Sequence, residues 1–188
     1  MNTKLILPFT LFILLSTFSY SQYSIGLGIT GATSAGFNFE TESEKFAPGV
    51  QLKFQYRLND KFAIAPNIGT FLASKTGELS FSNLEGNIDF QFNVVDNDYN
   101  RGYLLFGPSY TRQSFVFPAT VNDAITTASG SWNRYGGFLG FGVEQVSNFY
   151  QEVVVQYKTK PEGSQFNDFQ VTVKLGYLFN LGKSKDTF

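Results

Sequence analysis

Apolar and polar residues alternate with a period of two along much of this chain. The clearest stretch is Phe169–Leu181, where the odd positions are apolar or aromatic and the even positions are polar or small, apart from Leu178. A period of two predicts a β-strand with one apolar and one polar face. This stretch is also longer than the roughly 9–11 residues with which a tilted strand crosses a bilayer. The pattern therefore predicts long strands with two chemically different faces.

Eight such strands are predicted from the alternation and from the polar turns between them. They are Tyr23–Ala32, Ala47–Leu58, Lys61–Ala73, Gly86–Asp96, Arg101–Arg112, Trp132–Val146, Phe149–Thr159 and Phe169–Leu181. Leu79 and Phe81 have the opposite parity to the apolar residues of the fourth strand. This change predicts a bulge near Glu85 and Gly86 if the fourth strand extends that far.

The fifth strand does not show which of its faces is apolar. Tyr103 and Leu105 compete with Leu104 and Phe106 for that role. The facing of residues 101–112 therefore stays open at the level of the sequence.

The connections between the predicted strands alternate in length. The short ones are Asn59–Asp60, Asp96–Asn100 and Ser147–Asn148, and the long ones are Gly31–Phe46, Ser74–Glu85, Gln113–Ser131 and Lys160–Asn167. Short turns at one rim and long loops at the other are typical of an outer-membrane barrel with periplasmic termini. An even strand number closes such a sheet without free edges. The predicted fold class is all-β, a closed eight-stranded antiparallel up-and-down transmembrane β-barrel.

The N-terminal segment Met1–Ser21 has the pattern of a cleaved secretory signal. Lys4 gives the positive start, Leu5–Phe18 is an apolar run too short for a transmembrane helix, and small residues precede Gln22. The predicted organisation is a signal peptide over 1–21, a barrel over 22–181 and a C-terminal tail over 182–188. An uncleaved anchor helix at the N-terminus is the alternative.

Composition limits the classes of function. The chain has no cysteine, so an exported protein of this kind needs its own core or a membrane for stability. Removing Lys4 leaves 13 of the 14 basic residues against 15 acidic ones, a net charge of −2, which argues against nucleic-acid binding. Cysteine and histidine are both absent, and no EF-hand spacing occurs, so no metal site and no cofactor are expected.

The mature chain resembles the small eight-stranded outer-membrane β-barrels of Gram-negative bacteria, the OmpA/OmpX-like group. The resemblance covers about Gln22–Leu181 and depends on the overall pattern and on the closing Gly176–Phe179 strand. It implies location in the outer membrane and contact with outer-membrane lipid. The length of the long loops separately suggests surface or envelope protein partners. The chain departs from the group's pattern because Gly182–Phe188 follows the last strand. Enzymes among small outer-membrane barrels use a histidine, which this chain lacks, so no enzymatic activity is expected.

The inward faces of the predicted strands carry charges, and buried charges must be paired. Folding the hairpin between the sixth and seventh strands places Glu144 roughly opposite Glu152, and the next hairpin places Glu152 roughly opposite Lys174. We therefore expect a lumen charge cluster of these three residues, reached by Arg57 or Lys53. Three interpretations stay open: a salt-bridged plug, a narrow polar path for ions or small solutes, and a catalytic carboxylate pair.

The leading functional hypothesis is a non-enzymatic integral outer-membrane barrel with a structural or surface-interaction role. The alternatives are a narrow ion or small-solute channel, a barrel component of a secretion or assembly machine, and a soluble lipocalin-like barrel for a hydrophobic ligand. The lipocalin-like alternative requires apolar side chains inside and charges outside. Residues Ala119–Gly130 are small and polar and are expected to form a mobile loop suited to partner binding.

Overall fold

The computed structural model of the protein describes residues 22–35, 47–76, 79–121, 124–159 and 168–181. Within these ranges no helix is both long and apolar enough to cross a membrane. The predicted signal peptide over 1–21 and the predicted tail over 182–188 lie outside the described residues and stay predictions.

Eight strands follow one another along the chain, and each predicted strand corresponds to one of them. They are β1 (Gln22–Ala35), β2 (Ala47–Arg57), β3 (Phe62–Thr76), β4 (Leu79–Asp96), β5 (Asn100–Val121), β6 (Ala124–Gln145), β7 (Phe149–Lys158) and β8 (Asp168–Asn180). The middle strands β4, β5 and β6 are longer than predicted and extend beyond their neighbours on one side of the molecule.

Hydrogen bonds join the eight strands into a closed antiparallel ring. Each strand pairs with the next in sequence, and β1 closes the ring by pairing with β8 from Ser24 opposite Asn180 to Ala35 opposite Phe169. Closure leaves no free sheet edge within the ring. The predicted up-and-down barrel is confirmed.

The outer face of the barrel is apolar and the inner face is polar. Large apolar side chains are exposed on the outside of every strand, whereas the buried side chains include Lys53, Asp89, Glu152 and Lys174. The lipocalin-like alternative required the reverse arrangement and is wrong.

The structure also fixes the facing of β5, which the sequence left open. Tyr103 and Leu105 point into the lumen and are 2% and 0% exposed, while Leu104 and Phe106 point outward. The bulky inner pair adds apolar packing to a lumen that is otherwise mainly polar.

Two local predictions are wrong. The register of β4 with both neighbours passes unbroken through Glu85 and Gly86. The pairing of β4 with β3 shifts instead between Phe71 and Ser74, opposite Asn83 and Phe81 of β4. The long loop predicted over Gln113–Ser131, with Ala119–Gly130 as its mobile part, is instead a hairpin in which β5 and β6 stay paired up to Val121 opposite Ala124. The small residues of this hairpin have a weak intrinsic preference for strands, but the continuous pairing between β5 and β6 outweighs it.

Asparagine side chains shape the three short turns. The Oδ1 atoms of Asn59 and Asn97 each accept hydrogen bonds from the backbone N–H groups two and three residues further on. In the third turn Asn148 has φ of 65°, a left-handed conformation that asparagine tolerates better than most residues. These local bonds fix where each hairpin reverses.

A lysine at the middle of the outer face should destabilise the barrel. Val153 lies near the middle of β7 and is half-exposed on the apolar face. We expect Val153→Lys to lower the free energy of unfolding in lipid vesicles by about 2–4 kcal/mol, because lipid cannot solvate the ammonium group. Urea titration of the refolded protein measures this, and Ser131→Lys on the protruding part of β6 is the control. Equal small effects of both substitutions would contradict a lipid-facing Val153.

Candidate functional site

Lys53 forms the centre of a charged network inside the barrel. Its ammonium group contacts the carboxylate of Glu152 and lies 3.5 Å from Asp89, and all three side chains are fully buried. The hydroxyl group of Tyr103 donates a hydrogen bond to Glu152 at 2.8 Å. The Nζ atom of Lys53 also lies 5.0 Å from the centroid of the Tyr150 ring. One cation is thus shared by two carboxylates and two aromatic rings, which compensates the cost of burying it.

Arg57 and Glu144 form a second pair nearer the short-turn rim. The Nη2 atom of Arg57 contacts Oε1 of Glu144, and Gln55 donates a longer bond of 3.5 Å to the other carboxylate oxygen. Arg57 is part-buried, whereas Glu144 is buried. The five predicted residues therefore face the lumen at two different levels.

The predicted pairings within the cluster have mixed outcomes. Glu152 does stand opposite Lys174 in the register of β7 and β8, but Glu144 stands opposite Tyr150 and not opposite Glu152. Among the described residues Lys174 forms no ion pair within 4.0 Å; its Nζ atom lies 5.9 Å from the ring centroid of Phe138. The direct partner of Glu152 is Lys53 on β2, three strands away around the ring.

A further level of charge lies toward the long-loop rim and was not part of the predicted cluster. Lys158 donates hydrogen bonds to Glu85 at 3.2 Å and to Gln170 at 2.6 Å. Asn87 donates to Glu85 at 2.8 Å and to Asn67 at 3.3 Å. Lys158 lies on the polar face of the seventh predicted strand, whereas Glu85 is the last residue of the predicted connection Ser74–Glu85, so alternation does not identify the two as partners.

Asn67 joins this upper level to the central one. Its Nδ2 atom donates to Oδ1 of Asp89 at 2.7 Å, and Asp89 in turn faces Lys53. Polar contacts consequently run without interruption from Lys158 to Glu152 along the lumen. This chain of contacts cross-links strands that are not neighbours in the sheet.

Tyr150 fills the lumen beside the seam between β1 and β8. It is fully buried, and its hydroxyl group accepts a hydrogen bond from Gln51 at 2.8 Å. A side chain at Gly28 or Gly176 would collide with the Tyr150 ring or hydroxyl group. The two glycines therefore provide the space that the ring occupies.

Apolar side chains complete the packing of the middle lumen. Tyr103, Leu105, Phe138 and Val154 form one buried cluster on β5, β6 and β7. Charged, aromatic and aliphatic side chains together occupy the interior, as in small barrels whose width is just sufficient for side chains. This arrangement supports the interpretation of the network as a structural plug. In the part of the chain that the structure describes, no group of three acidic residues is placed to hold a metal ion.

The second feature with functional potential is the part of β6 above the ring, where no strand among the described residues pairs with its outer edge (the β6 edge). Pairing of β6 with β7 ends at Gly136 opposite Lys158, and one more bond joins Thr159 to Tyr135. Pairing of β6 with β5 continues to Ala124. Beyond Tyr135 the other side of β6 has no partner strand among the described residues, over about 30 Å at roughly 3.3 Å per residue.

The alternation of hydrogen bonds identifies the groups that this edge presents. The backbone of Tyr135 bonds toward β7, and the register with β5 has no bulge. Every second residue toward the hairpin tip therefore directs its N–H and C=O away from β5. These residues are Asn133, Ser131, Ser129 and Thr127.

Comparison with known proteins identifies the fold. No family model and no curated protein sequence matches the chain. Among solved structures it is similar to Ail, the attachment invasion locus protein of Yersinia pestis, with 16% identity over 85% of this chain and 99% of that chain and a TM-score of 0.53. It is also similar to Neisserial surface protein A, with 11% identity over 84% and 97% of the two chains and a TM-score of 0.55. The expected likeness to the small eight-stranded outer-membrane barrels is confirmed for the fold.

Removing the central cation should destabilise the barrel strongly. We expect Lys53→Met to lower the free energy of unfolding by about 3–5 kcal/mol, because Asp89 and Glu152 then lie buried without their counter-ion. Urea titration in lipid vesicles measures the change. Adding Glu152→Gln to this variant should recover part of the lost free energy of unfolding, because it removes one of the two carboxylates left without a counter-ion.

The control for this prediction is Arg101→Met, because Arg101 pairs with the exposed Asp96 at 3.4 Å. An exposed pair contributes about 0–1 kcal/mol. An effect of Lys53→Met no larger than that of the control would contradict the central role of Lys53.

Proposed function

We propose that this protein is a non-enzymatic integral β-barrel of the Gram-negative outer membrane that binds extended protein segments at the cell surface. The observation that carries the proposal is the β6 edge on a protruding hairpin, which has no partner strand in the part of the chain that the structure describes. The barrel holds this hairpin in place, and the lumen network supports the barrel. Ail, a protein of the same fold, is named for attachment and invasion, in keeping with a surface role.

The outer face supports location in a bilayer. Large apolar side chains such as Leu139, Val155 and Ile29 are about half to two-thirds exposed and surround the closed ring. Contiguous apolar area on this scale is not stable against water. A closed ring also satisfies the backbone polar groups that lipid cannot solvate. The short turns and both ends of the barrel then lie in the periplasm, and the β5–β6 hairpin lies outside the cell.

The chemistry of the lumen supports a structural role for its charges. The carboxylates of Asp89, Glu144 and Glu152 each face a cation, and the chain has no histidine to act as a base. No observation in the described residues favours the channel or the assembly-machine alternative over this role.

The two edges of the protruding hairpin differ in their capacity to pair with another strand. The β5 edge carries Pro118, which has no N–H to donate. The β6 edge from Thr127 to Asn133 carries neither proline nor charge, and its register with β5 is regular. Exposed edges without such protection are templates for strand addition. The β6 edge is therefore the side of the hairpin that can accept a further strand.

Geometry favours a water-exposed segment over a second copy of the barrel as the partner. Strands in small membrane barrels are tilted by about 35–45°. Two copies related by an axis along the membrane normal would therefore cross their β6 edges at a large angle and would not form a continuous ladder. A segment that is free to orient above the membrane has no such restriction.

Cysteine labelling tests the location and orientation. The chain has no native cysteine, so Ser129→Cys on the hairpin and Asp98→Cys in a short turn each give a single reactive thiol. On intact cells a membrane-impermeant maleimide should label the first variant and leave the second unlabelled. After permeabilisation of the outer membrane both should react. Labelling of Asp98→Cys alone on intact cells would reverse the orientation and contradict the proposal.

Backbone recognition at the edge is tested with peptides selected from a displayed library of extended 12-residue sequences against the refolded protein. Ser131→Pro removes an edge N–H and should weaken binding at least tenfold, which corresponds to about 1.4 kcal/mol. Ser131→Thr keeps the N–H and should bind like the wild type. Equal affinity of the two variants would show that the peptides do not add to the β6 edge.

A further inference from the structure

The chain has one tryptophan, Trp132, and it does not lie in the lipid-facing belt. It has the same parity as the inward-facing Arg134, whereas its neighbours Ser131 and Asn133 are exposed on the outer face. Membrane proteins commonly place tryptophan at the lipid interface. Here the indole is instead on the inner side of the protruding hairpin, above the lumen.

Trp132 forms an aromatic surface together with Phe115 across the hairpin. Their ring centroids are 4.5 Å apart with an interplanar angle of 40°. A side chain at position 130 would collide with the Phe115 ring. Gly130 has none, so the Phe115 ring fits beside Trp132. Both aromatic residues are partly exposed. The indole and the phenyl ring thus form an apolar surface at the mouth of the barrel.

Polar side chains lie beside this surface and below it. Trp132 is opposite Gln113, and Gln113 is opposite Asn83, so these residues form one level across three strands. The next level toward the lumen contains Arg134, Thr111 and Glu85 in the same order. At about 4.8 Å between strands, each level spans about 10 Å. Hydroxyl, amide and charged groups therefore lie next to the apolar surface formed by Trp132 and Phe115.

Several polar side chains at or below these levels have no hydrogen-bond partner among the described residues. The Oδ1 atom of Asn83, Oγ1 of Thr111 and Oγ of Ser109 make no hydrogen bond in the described structure. Thr111 and Ser109 are 2% and 6% exposed and point inward. Buried polar atoms normally find a partner, in water or in a ligand if not in the protein. Three of the polar atoms without a hydrogen-bond partner in the described lumen therefore lie at or below the level of the aromatic surface.

We propose that this mouth is a binding site for a neutral saccharide, with one sugar ring stacked on Trp132 and its hydroxyl groups bonded to Asn83 and Thr111. A pyranose ring has an apolar C–H face and a polar rim, which matches an aromatic surface bordered by amides and hydroxyls. The nearby Lys158 and Glu85 already form a pair at 3.2 Å, and Nε of Arg134 donates to the backbone carbonyl of Thr159 at 2.8 Å, so the chemistry proposed for the ligand is neutral. The site is distinct from the β6 edge and depends on the proposed orientation only for its access to the outside.

The single tryptophan makes binding directly measurable. The full-length protein is refolded in micelles of a detergent without a sugar headgroup, and Trp132 fluorescence is followed while maltotriose or chitotriose is added. We expect a saturable change with at least one of these two probes. A heat-induced mobility shift on gels verifies that every variant is folded.

Paired variants separate the site from the rest of the hairpin. Thr111→Val combined with Asn83→Ala should weaken binding about tenfold, which corresponds to the loss of one to two hydrogen bonds. Ser129→Ala, on the opposite face of the same hairpin, should leave affinity unchanged.

Three outcomes would overturn the saccharide site: no saturable change with either neutral probe, equal affinity in the double variant, or a response to sucrose octasulfate alone. The measurement uses micelles and does not involve the β6 edge. Its failure is therefore separate from a failure of the labelling or peptide experiments.

Discussion

The structure depends on the need to pair every backbone polar group where no water is available. In lipid this requirement is met by closing the sheet, and the pairing of β1 with β8 provides the closure. Closure fixes an inside and an outside, and the two-residue period of each strand then divides its side chains between them. Side chains that do not suit lipid, including four acidic and several basic residues, are directed into a narrow lumen and must find partners there. The charge network is thus a consequence of the closed ring.

Strand positions and facing could be predicted because both depend on local alternation. Ile29, Val153 and Phe179 lie outside and Lys53, Glu152 and Lys174 inside, as the pattern indicates. The facing of β5 could not be predicted because Tyr103 and Leu105 are as apolar as their outward neighbours. Only the closed ring shows that these two bulky side chains pack inside the narrow lumen.

Contacts across the lumen could not be predicted from the sequence. Lys53 and Glu152 lie on β2 and β7, which are not adjacent in the ring, so no hairpin register relates them. Within the hairpin of β6 and β7 the reversal is centred one residue earlier than assumed, which shifts each pairing by two residues. Glu144 therefore meets Tyr150 and its carboxylate pairs with Arg57. The inward facing of Trp132 could not be predicted, because it is the first residue of the sixth predicted strand and follows the residues predicted to form a loop.

Tyr150 has a consequence for the accuracy with which the barrel closes. The ring lies over Gly176 of β8 and Gly28 of β1, on both sides of the joint that closes the sheet. Strand β7 therefore holds the two ends of the barrel together through a side chain, in addition to their backbone bonds. The ring fits only where glycines of both strands face it, so its packing depends on how β1 and β8 are paired. A slipped pairing that brought Thr30 to the position of Gly28 would place a larger side chain where the phenol lies, so the residue that fills the lumen also disfavours that wrongly closed barrel.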